Sequence, residues 1–358
     1  MKIWLDLRFL KSWDKYSTFV ALLIQNIIHL DSENTYTLYL SDKTKTKFPV
    51  QLKVEYIKEE PGSLFEQVKF NNKLKKDNNF LMFFFNEKKP LLYKWNYILF
   101  VKDLKKLHYQ DNTNSLNIFL ENLFLKTSLK NAKKVICFEN HTKHELNEKL
   151  NISEEKIEVL YPFFTLTKIP SAKVITNIKT KFSINWEYFI YSGWKWNNKN
   201  LSKLIEVFQK LNKRWYGISL VVLDQDITED VTFRKEVIDS WIVEKIFFVW
   251  VTTPEEKKAF YHYAIWSIFP TLYESFPFDL TESISYKSPI LASSLKQIKE
   301  IMWDSISYLS PVSTINMIEA IQNFISKPKQ YTDYKEINNK LRPEKSAKEL
   351  INIINNVF

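Results

Sequence analysis

Short, almost wholly apolar segments alternate with helical segments along this chain, and that alternation limits the fold more than any other feature. In the C-terminal half the apolar segments occupy 188–191, 219–223, 245–249, 266–270 and 289–292. A helix is predicted after Asn200, where leucine, isoleucine, valine and phenylalanine recur at helical spacing. Strands that are apolar on both faces and separated by helices are typical of a parallel sheet covered on both sides.

The N-terminal half repeats the pattern. Strands are predicted at 2–7, 36–41, 50–57, 79–85, 96–102, 133–138 and 156–161. One helix is expected at about 17–30 with Ser17 as its N-cap, and another at about 115–131. The predicted fold class is therefore α/β, with two Rossmann-like domains facing a cleft and ligands at the carboxyl ends of the strands.

The chain of 358 residues is long enough for two domains, each with its own core. A weak pattern with two prolines between Pro162 and Phe182 indicates the linker. We predict an N-terminal domain at 1–165, a linker at 166–182 and a C-terminal domain at 183–340. Residues 341–358 are expected to form a helix that packs back on the N-terminal domain.

Composition narrows the class of protein. The single cysteine, Cys137, excludes an internal disulfide and fits a reducing compartment. Asp6 interrupts the first apolar run, which is typical of a strand rather than a signal peptide. A run of about 18 apolar residues, as a membrane span needs, is absent from the sequence. We expect a cytoplasmic protein.

The formal net charge is +10, which raises the question of a nucleic-acid partner. The sequence has no zinc-finger spacing, no aromatic RNA-binding signature and no long basic tail. We therefore expect no nucleic-acid partner. The charge is explained by a composition rich in lysine, asparagine and isoleucine, and the alternatives are a surface for anionic lipid or for phosphorylated ligands.

Lys199 is the first residue whose position indicates chemistry. It comes six residues after Gly193, between the end of a predicted strand and the start of a predicted helix. Such a junction offers backbone N–H groups and the positive end of a helix, and both favour a diphosphate. The alternative is a solvated lysine at a helix start.

Two glutamates provide the second indication. Glu274 follows a predicted strand, and Glu282, after seven intervening residues, lies in the helix that comes next. A path from loop to helix brings both carboxylates to one pocket, where one can bind sugar hydroxyls and the other a ribose diol. Backbone N–H groups around Phe276 are candidates for holding phosphate, although Pro277 has none to donate. The alternative is a pair of surface glutamates.

Together these motifs resemble the retaining glycosyltransferases of family 4, which have the GT-B fold. The similar stretches in the C-terminal half are 193–200, 269–274 continuing to Glu282, 288–293 and 299–301. Those in the N-terminal half are Asp6–Arg8, Lys102–Leu104 and Thr142–Leu146. The set of spacings covers nearly the whole chain and is more specific than any one motif.

The resemblance implies the role of each site residue. Lys199 would bind the donor diphosphate, Glu282 the ribose, and Glu274 the transferred sugar. The catalytic residues would be Glu274, Asp103 and Lys102. The donor-binding residues would be Gly193, Trp194, Lys199, Phe276, Phe278 and Glu282, and the acceptor side would contain Trp13, Tyr16 and His108.

The resemblance also implies the reaction. A mannose- or glucose-type hexose would pass from a nucleotide diphospho-sugar to a glycan or lipid-linked acceptor in envelope polysaccharide synthesis. The anomeric configuration would be retained, and neither a cofactor nor a metal would be needed.

Two functional alternatives stay open. Lys102 stands where many members of the family have a histidine, and lysine is a poorer proton relay at neutral pH. A catalytically impaired homologue that only binds nucleotide sugars is therefore one alternative. A GT-B-like epimerase or phosphorylase is the other, although a phosphorylase needs further anion-binding groups.

A basic stretch bears on membrane contact. Four lysines lie beside Leu123–Leu125, at positions 126, 130, 133 and 134. They indicate either peripheral contact with the anionic inner leaflet or an ordinary solvated helix face.

The counts of glycine and tryptophan are both unusual. The sequence has 3 glycines and 11 tryptophans, whereas glycine averages about 7% of residues in proteins. Several tryptophans stand where the family would place glycine, at positions 13, 186, 194, 241, 250 and 303. We hypothesise that UGA codons meaning glycine were translated as tryptophan; the alternative is a protein truly rich in tryptophan. Tryptophan at 194 and 250 in peptides of the native protein, seen by mass spectrometry, would end this hypothesis.

Overall fold

The computed structural model describes most of the chain, in ranges separated by short gaps. The ranges are 1–11, 14–49, 52–59, 66–77, 80–87, 89–90, 92–108, 115–167, 170–182, 187–193, 197–213, 217–223, 235, 237–239, 242–250, 253–326 and 334–358. The chain divides into two compact units. The first contains Met1–Phe163 and Leu341–Phe358, and the second contains Phe164–Lys340.

The first unit is built on a sheet whose neighbouring strands all run parallel. Its strands are β1 (Lys2–Asp6), β2 (Thr35–Ser41), β3 (Lys53–Ile57), β4 (Leu81–Phe84), β5 (Tyr97–Phe100), β6 (Lys134–Cys137) and β7 (Ile157–Val159). Their order is β3-β2-β1-β4-β5-β6-β7. All seven predicted strands are present, and β4 and β5 are buried at every position, as the apolar pattern requires.

The second unit contains another fully parallel sheet. Its strands are β8 (Tyr188–Ser192), β9 (Ser219–Leu223), β10 (Ile246–Val249), β11 (Trp266–Phe269), β12 (Ile290–Ser293) and β13 (Ser307–Leu309). Their order is β10-β9-β8-β11-β12-β13. The first five confirm the predictions. The sequence did not indicate β13, which is three residues long and only partly buried.

Helices flank the two sheets. In chain order they are α1 (Lys15–Leu30), α2 (Asn71–Lys76), α3 (Lys105–His108), α4 (Ser115–Asn131), α5 (Asn140–Leu150), α6 (Ala172–Lys181), α7 (Leu201–Lys213), α8 (Pro254–Tyr263), α9 (Phe278–Ser285), α10 (Lys296–Met302), α11 (Thr314–Ile325), α12 (Lys335–Lys340) and α13 (Pro343–Asn355). Within the described ranges, none combines the length and apolar character needed to cross a bilayer.

The C-terminal helix α13 packs on the first unit, as expected from the sequence. It lies against α1. The Ser346 hydroxyl donates to the Tyr161 carbonyl oxygen at 2.8 Å. Leu350 and Ile354 are buried. The chain thus ends in the unit in which it begins.

Two local expectations were wrong. Helix α1 is capped by Asp14 rather than by Ser17, since an Asp14 carboxylate oxygen accepts both the Ser17 N–H and the Ser17 hydroxyl at 2.8 Å. At the N-cap position a side-chain oxygen can accept a hydrogen bond from a free N–H group of the first turn, and aspartate is one of the residues preferred there. The expected linker at 166–182 instead contains α6, which packs on α8 inside the second unit. Its Ile178 is buried there.

Trp303 has a backbone conformation that tryptophan rarely adopts. It ends α10 with φ 45° and ψ −132°, and its indole is 40% exposed. Positive φ with strongly negative ψ belongs to turn positions that glycine dominates, because a Cβ is crowded there. The geometry at this position is what the glycine hypothesis predicts. Of the other suspected positions, Trp250 is exposed after β10, while 13, 186, 194 and 241 lie outside the described residues.

Trp303→Gly is expected to stabilise the second unit by about 1 kcal/mol. Relief of a strained φ/ψ is worth about 1–3 kcal/mol. Two effects oppose this gain. The substitution removes the contact of the Lys340 ammonium with the indole ring at 4.0 Å, worth about 0.5–1 kcal/mol. Glycine also raises the conformational entropy of the unfolded chain, which lowers the free energy of unfolding. The measurement is the free energy of unfolding in denaturant.

Trp303→Ala is the matched control, because it removes the indole but keeps the Cβ. We expect the alanine variant to be less stable than the starting protein. Trp250→Gly, at an exposed tryptophan without positive φ, should bring no gain. Equal effects of glycine and alanine at 303 would show that the backbone there is not strained.

Candidate functional site

The loops after β8 and β11 lie side by side at the carboxyl edge of the second sheet. Strands β8 and β11 are paired, and from them the strand order runs outward in opposite directions. In doubly wound sheets this reversal opens the crevice in which ligands bind. The loop after β8 contains Lys199, and the loop after β11 contains Glu274.

Two asparagines hold these loops together. The buried Asn198 donates its side-chain amide to the Tyr273 carbonyl oxygen at 3.0 Å and accepts the Leu272 N–H on its own carbonyl at 2.7 Å. Asn200 has φ 62°, a left-handed conformation that asparagine tolerates better than most residues. Its amide bridges the carbonyl oxygens of Pro270 at 3.0 Å and Pro311 at 2.9 Å. Lys199 is thereby fixed between two anchored residues.

Gly193 makes room for the close approach of a side chain from the end of β8. A Cβ added there would lie 2.9 Å from the hydroxyl oxygen of Tyr191 and 3.1 Å from its ring carbon Cζ. The fully buried Tyr191 donates that hydroxyl to the Lys199 carbonyl oxygen at 3.3 Å. The glycine that the sequence assigned to donor binding thus makes room for the tyrosine that supports Lys199.

Lys199 lies between two carboxylates. Its Nζ is 2.6 Å from Glu274 Oε2 and 2.6 Å from Asp279 Oδ2. The three side chains are only 13–16% exposed. Burial alone would lower the pKa of Lys199, but the charges of Asp279 and Glu274 outweigh it and raise that pKa far above its ordinary value. The ammonium therefore stays charged at any physiological pH.

Glu282 lies on α9, three residues after Asp279 and so beside it on the helix surface. Its carboxylate pairs with the Lys257 ammonium of α8 at 3.1 Å. The structure thus places Glu274, Asp279 and Glu282 along one stretch of loop and helix, with a lysine contacting each. Sequence reasoning singled out the two glutamates and missed Asp279, which stands between them.

Two phenylalanines shape the turn that leads into α9. The Phe276 and Phe278 rings pack edge to face with centroids 4.8 Å apart, and Phe276 is buried. The Phe278 N–H already donates to the Phe276 carbonyl oxygen at 2.9 Å, so it is engaged within the turn rather than presented to a phosphate. Trp194, the remaining expected donor residue, lies outside the described residues.

In the first unit, Glu87 after β4 and Lys102 after β5 lie close to Tyr16 of α1. The Lys102 ammonium lies 5.2 Å from the centroid of the Tyr16 ring, and the Lys102 backbone N–H donates to Glu87 Oε1 at 3.1 Å. The Tyr16 hydroxyl donates to the Phe85 carbonyl oxygen at 2.5 Å. Glu87 was not predicted from the sequence. It could have been, because it is an acid that closely follows a buried strand, and such acids often lie at the ligand edge of a parallel sheet.

Glu87 and Asp103 are neighbouring acids. Burial and then the charge of Asp103 raise the pKa of Glu87, with Lys102 opposing both. An acid with a raised pKa is suited to exchange protons closer to neutral pH. Asp103 also accepts the Lys105 N–H at 2.9 Å, which fixes the start of α3.

The other acceptor-side expectations fall elsewhere. His108 contacts α5 instead of the Tyr16–Lys102 group: its Nε2 is 2.6 Å from Glu145 Oε1, which also accepts from the Lys149 ammonium at 2.5 Å. Trp13 lies outside the described residues. Across the ranges that are described, no three His, Cys, Asp or Glu side chains are arranged to hold a metal ion.

The basic stretch at the end of α4 has mixed surroundings. Leu123 is 49% exposed, whereas Leu125 packs against the core of the first unit. Lys134 pairs with Glu158 at 2.6 Å. Contact with a membrane stays a prediction.

Comparison with known proteins gives a family match for the second unit. Residues 176–341 match the family model described as glycosyl transferases group 1. The O-antigen chain mannosyltransferase RfbU of Salmonella typhimurium is 23% identical over 238 residues, which are 65% of this chain. The match spans 62% of that relative's length.

Solved structures share the fold over nearly the whole chain. A sucrose-phosphate synthase from Thermosynechococcus elongatus has a TM-score of 0.76 at 14% identity, covering 100% of this chain and 99% of its own. Anabaena HepE, solved with UDP and glucose, has a TM-score of 0.74 at 11% identity and 99% coverage of both chains. WaaG, a glycosyltransferase involved in lipopolysaccharide biosynthesis, has a TM-score of 0.70 at 12% identity, covering 97% and 94%. The predicted class of two Rossmann-like domains of the GT-B type is confirmed.

Proposed function

We propose that this chain is a retaining glycosyltransferase that moves a mannose- or glucose-type hexose from a nucleotide diphospho-sugar to a glycan or lipid-linked acceptor. The observation that carries this is the contact of Lys199 with Glu274 where the strand order of the second sheet reverses. The same unit matches the glycosyl transferases group 1 model. An O-antigen mannosyltransferase and a lipopolysaccharide glycosyltransferase among the similar proteins favour envelope polysaccharide synthesis. We propose the cytoplasm as its location.

Lys199 supplies the charge that this reaction needs. When the bond from the anomeric carbon to the diphosphate breaks, negative charge grows on the leaving phosphate oxygen. A buried ammonium held at the site stabilises that charge. The new bond forms between the anomeric carbon and the acceptor hydroxyl oxygen, the hydroxyl proton passes to the leaving phosphate oxygen, and the nucleoside diphosphate leaves. We expect the reaction to need no metal.

The two glutamates are assigned to the uncharged groups of the donor, which are the hydroxyls of its hexose and its ribose. A carboxylate only accepts hydrogen bonds, so it suits the hydroxyl groups of a sugar. Glu274, beside Lys199, is assigned to the transferred hexose next to its diphosphate. Glu282, further along α9, is assigned to the ribose diol. Asp103 and Lys102 of the first unit are assigned to the acceptor.

The test is a panel of UDP- and GDP-hexoses examined by thermal shift in buffer with EDTA, followed by an assay for released nucleoside diphosphate. A donor at one hundred times its Kd should stabilise the folded protein by about 2.7 kcal/mol. Glycan and lipid-linked acceptors should then speed nucleoside diphosphate release. Binding of a donor without release in the presence of either acceptor would favour the impaired, donor-binding homologue. Failure of every nucleotide sugar to bind would refute the proposed function.

A further inference from the structure

Asp279 has no role in the function assigned above, yet it makes the same contact with Lys199 that Glu274 makes. Both distances to Nζ are 2.6 Å, and both carboxylates are 16% exposed. The group contains one positive and two negative side chains, so its formal charge is −1 when all three are ionised. A site intended for a diphosphate thus holds an excess of negative charge.

The position of Asp279 explains how it is kept there. It lies in the first turn of α9, where the helix dipole favours an acid, and its carboxylate reaches back to the lysine of the neighbouring loop. A favourable interaction with the helix dipole does not require burial, because an acid in the first turn can make it with its carboxylate in solvent. Asp279 is instead largely buried on Lys199.

The geometry limits how a diphosphate can reach Lys199. An ammonium has three N–H donors, and the two carboxylates take two of them at short distance. A phosphate oxygen that takes the third donor comes close to both carboxylates, whose negative charges repel it, so its binding is favoured when one carboxylate moves away. Glu274 is already assigned to the sugar next to the diphosphate, so Asp279 is the one that gives way.

We propose that Asp279 is an internal competitor of the donor diphosphate: it occupies Lys199 in the unliganded protein, yields it when a nucleoside diphosphate binds, and takes it back on release. This competition rests on the proposed function, since it assumes that Lys199 binds the diphosphate. Asp279 acts through Lys199 and touches no reacting atom. Its effect is to weaken binding of donor and product alike and so to speed the release of the nucleoside diphosphate.

The experiment measures the Kd of UDP and of GDP by calorimetry for the full chain and its variants. Asp279→Asn keeps the shape but removes the competing charge, and should lower the Kd about tenfold, which is about 1.4 kcal/mol. Asp279→Glu restores a carboxylate and should bind nucleotide as the starting protein does. Glu255→Gln removes an exposed acid from the first turn of α8, and should leave the Kd within about twofold because it does not contact Lys199.

The outcomes separate the competition from the proposed function. Nucleotide binding by the starting protein, with Asp279→Asn binding equally or more weakly, would overturn the competition alone and make Asp279 a support for Lys199. If Asp279→Asn and Asp279→Glu both bound nucleotide more tightly than the starting protein, the competition would also be overturned, because the gain in affinity would not depend on the charge at position 279. If no folded variant binds UDP or GDP, the proposed function fails and the competition fails with it.

Discussion

Lys199→Met is expected to lower kcat/KM for the nucleotide-sugar donor by about two to three orders of magnitude. Loss of one preorganised group that stabilises transition-state charge costs about that much in other enzymes. The buried ammonium is held 2.6 Å from Glu274, and methionine has a similar length but no charge. The measurement is the rate of nucleoside diphosphate release against donor concentration.

Lys210→Met is the matched control, because it removes a lysine charge from an exposed position on α7. It should change kcat/KM less than twofold. Lys199→Arg keeps the charge in a different shape and should retain more activity than methionine. Activity of Lys199→Met within threefold of the starting protein would contradict the role assigned to the ammonium.

Lys199→Met also leaves Glu274 and Asp279 together without their cation. Orphaned buried charges destabilise a protein by several kcal/mol, so the melting temperature should fall as well. Adding Asp279→Asn removes one of the two like charges, and should return part of the stability but not the activity. That double variant separates a folding defect from a loss of phosphate binding.

Arg8→Met is expected to destabilise the first unit by about 3–5 kcal/mol, the usual cost of leaving a buried charge unpaired. The Arg8 guanidinium contacts Asp6 through Nε at 2.8 Å and Nη2 at 2.6 Å, and Glu66 through Nη2 at 2.5 Å. These three side chains are 1–7% exposed. Its loss would leave two carboxylates buried. Denaturant unfolding followed by circular dichroism measures the effect.

The contrast with an exposed pair makes this prediction sharp. Lys53 contacts Glu55 at 2.8 Å in the same unit but is 67% exposed, so Lys53→Met should cost less than about 1 kcal/mol. Arg8→Lys keeps the charge but loses the bidentate contact with Asp6. Its loss of stability should lie between those of Lys53→Met and Arg8→Met. A loss below 1 kcal/mol for Arg8→Met would mean that the buried network does not stabilise the fold.

The strands could be predicted from the sequence because burial on both faces leaves a local trace. Every residue of β8 and β9 is buried, and each strand has four consecutive apolar or aromatic residues beside a single serine. Strand β13 left no such trace, since it is short and only partly buried. The cap of α1 was misassigned because Asp14 and Ser17 both suit a helix start, and only the backbone conformation of Asp14 decides between them.

Some residues of the candidate site could likewise be predicted from the sequence, and others could not. The spacing of Lys199, Glu274 and Glu282 indicated a donor site from the sequence, because strand ends and helix starts bring particular positions to one edge of a sheet. Asn198 and Asp279 could not be assigned from the sequence alone.

The reason is the range over which their contacts act. Asn198 holds a carbonyl 75 residues away, and the Lys199–Asp279 contact spans 80 residues. Local periodicity records which side chains are buried, so the amino-acid order by itself determined the two α/β sheets. Which polar atoms meet across separate loops depends on the folded backbone, and only the tertiary structure decided that Lys199 is shared by two acids.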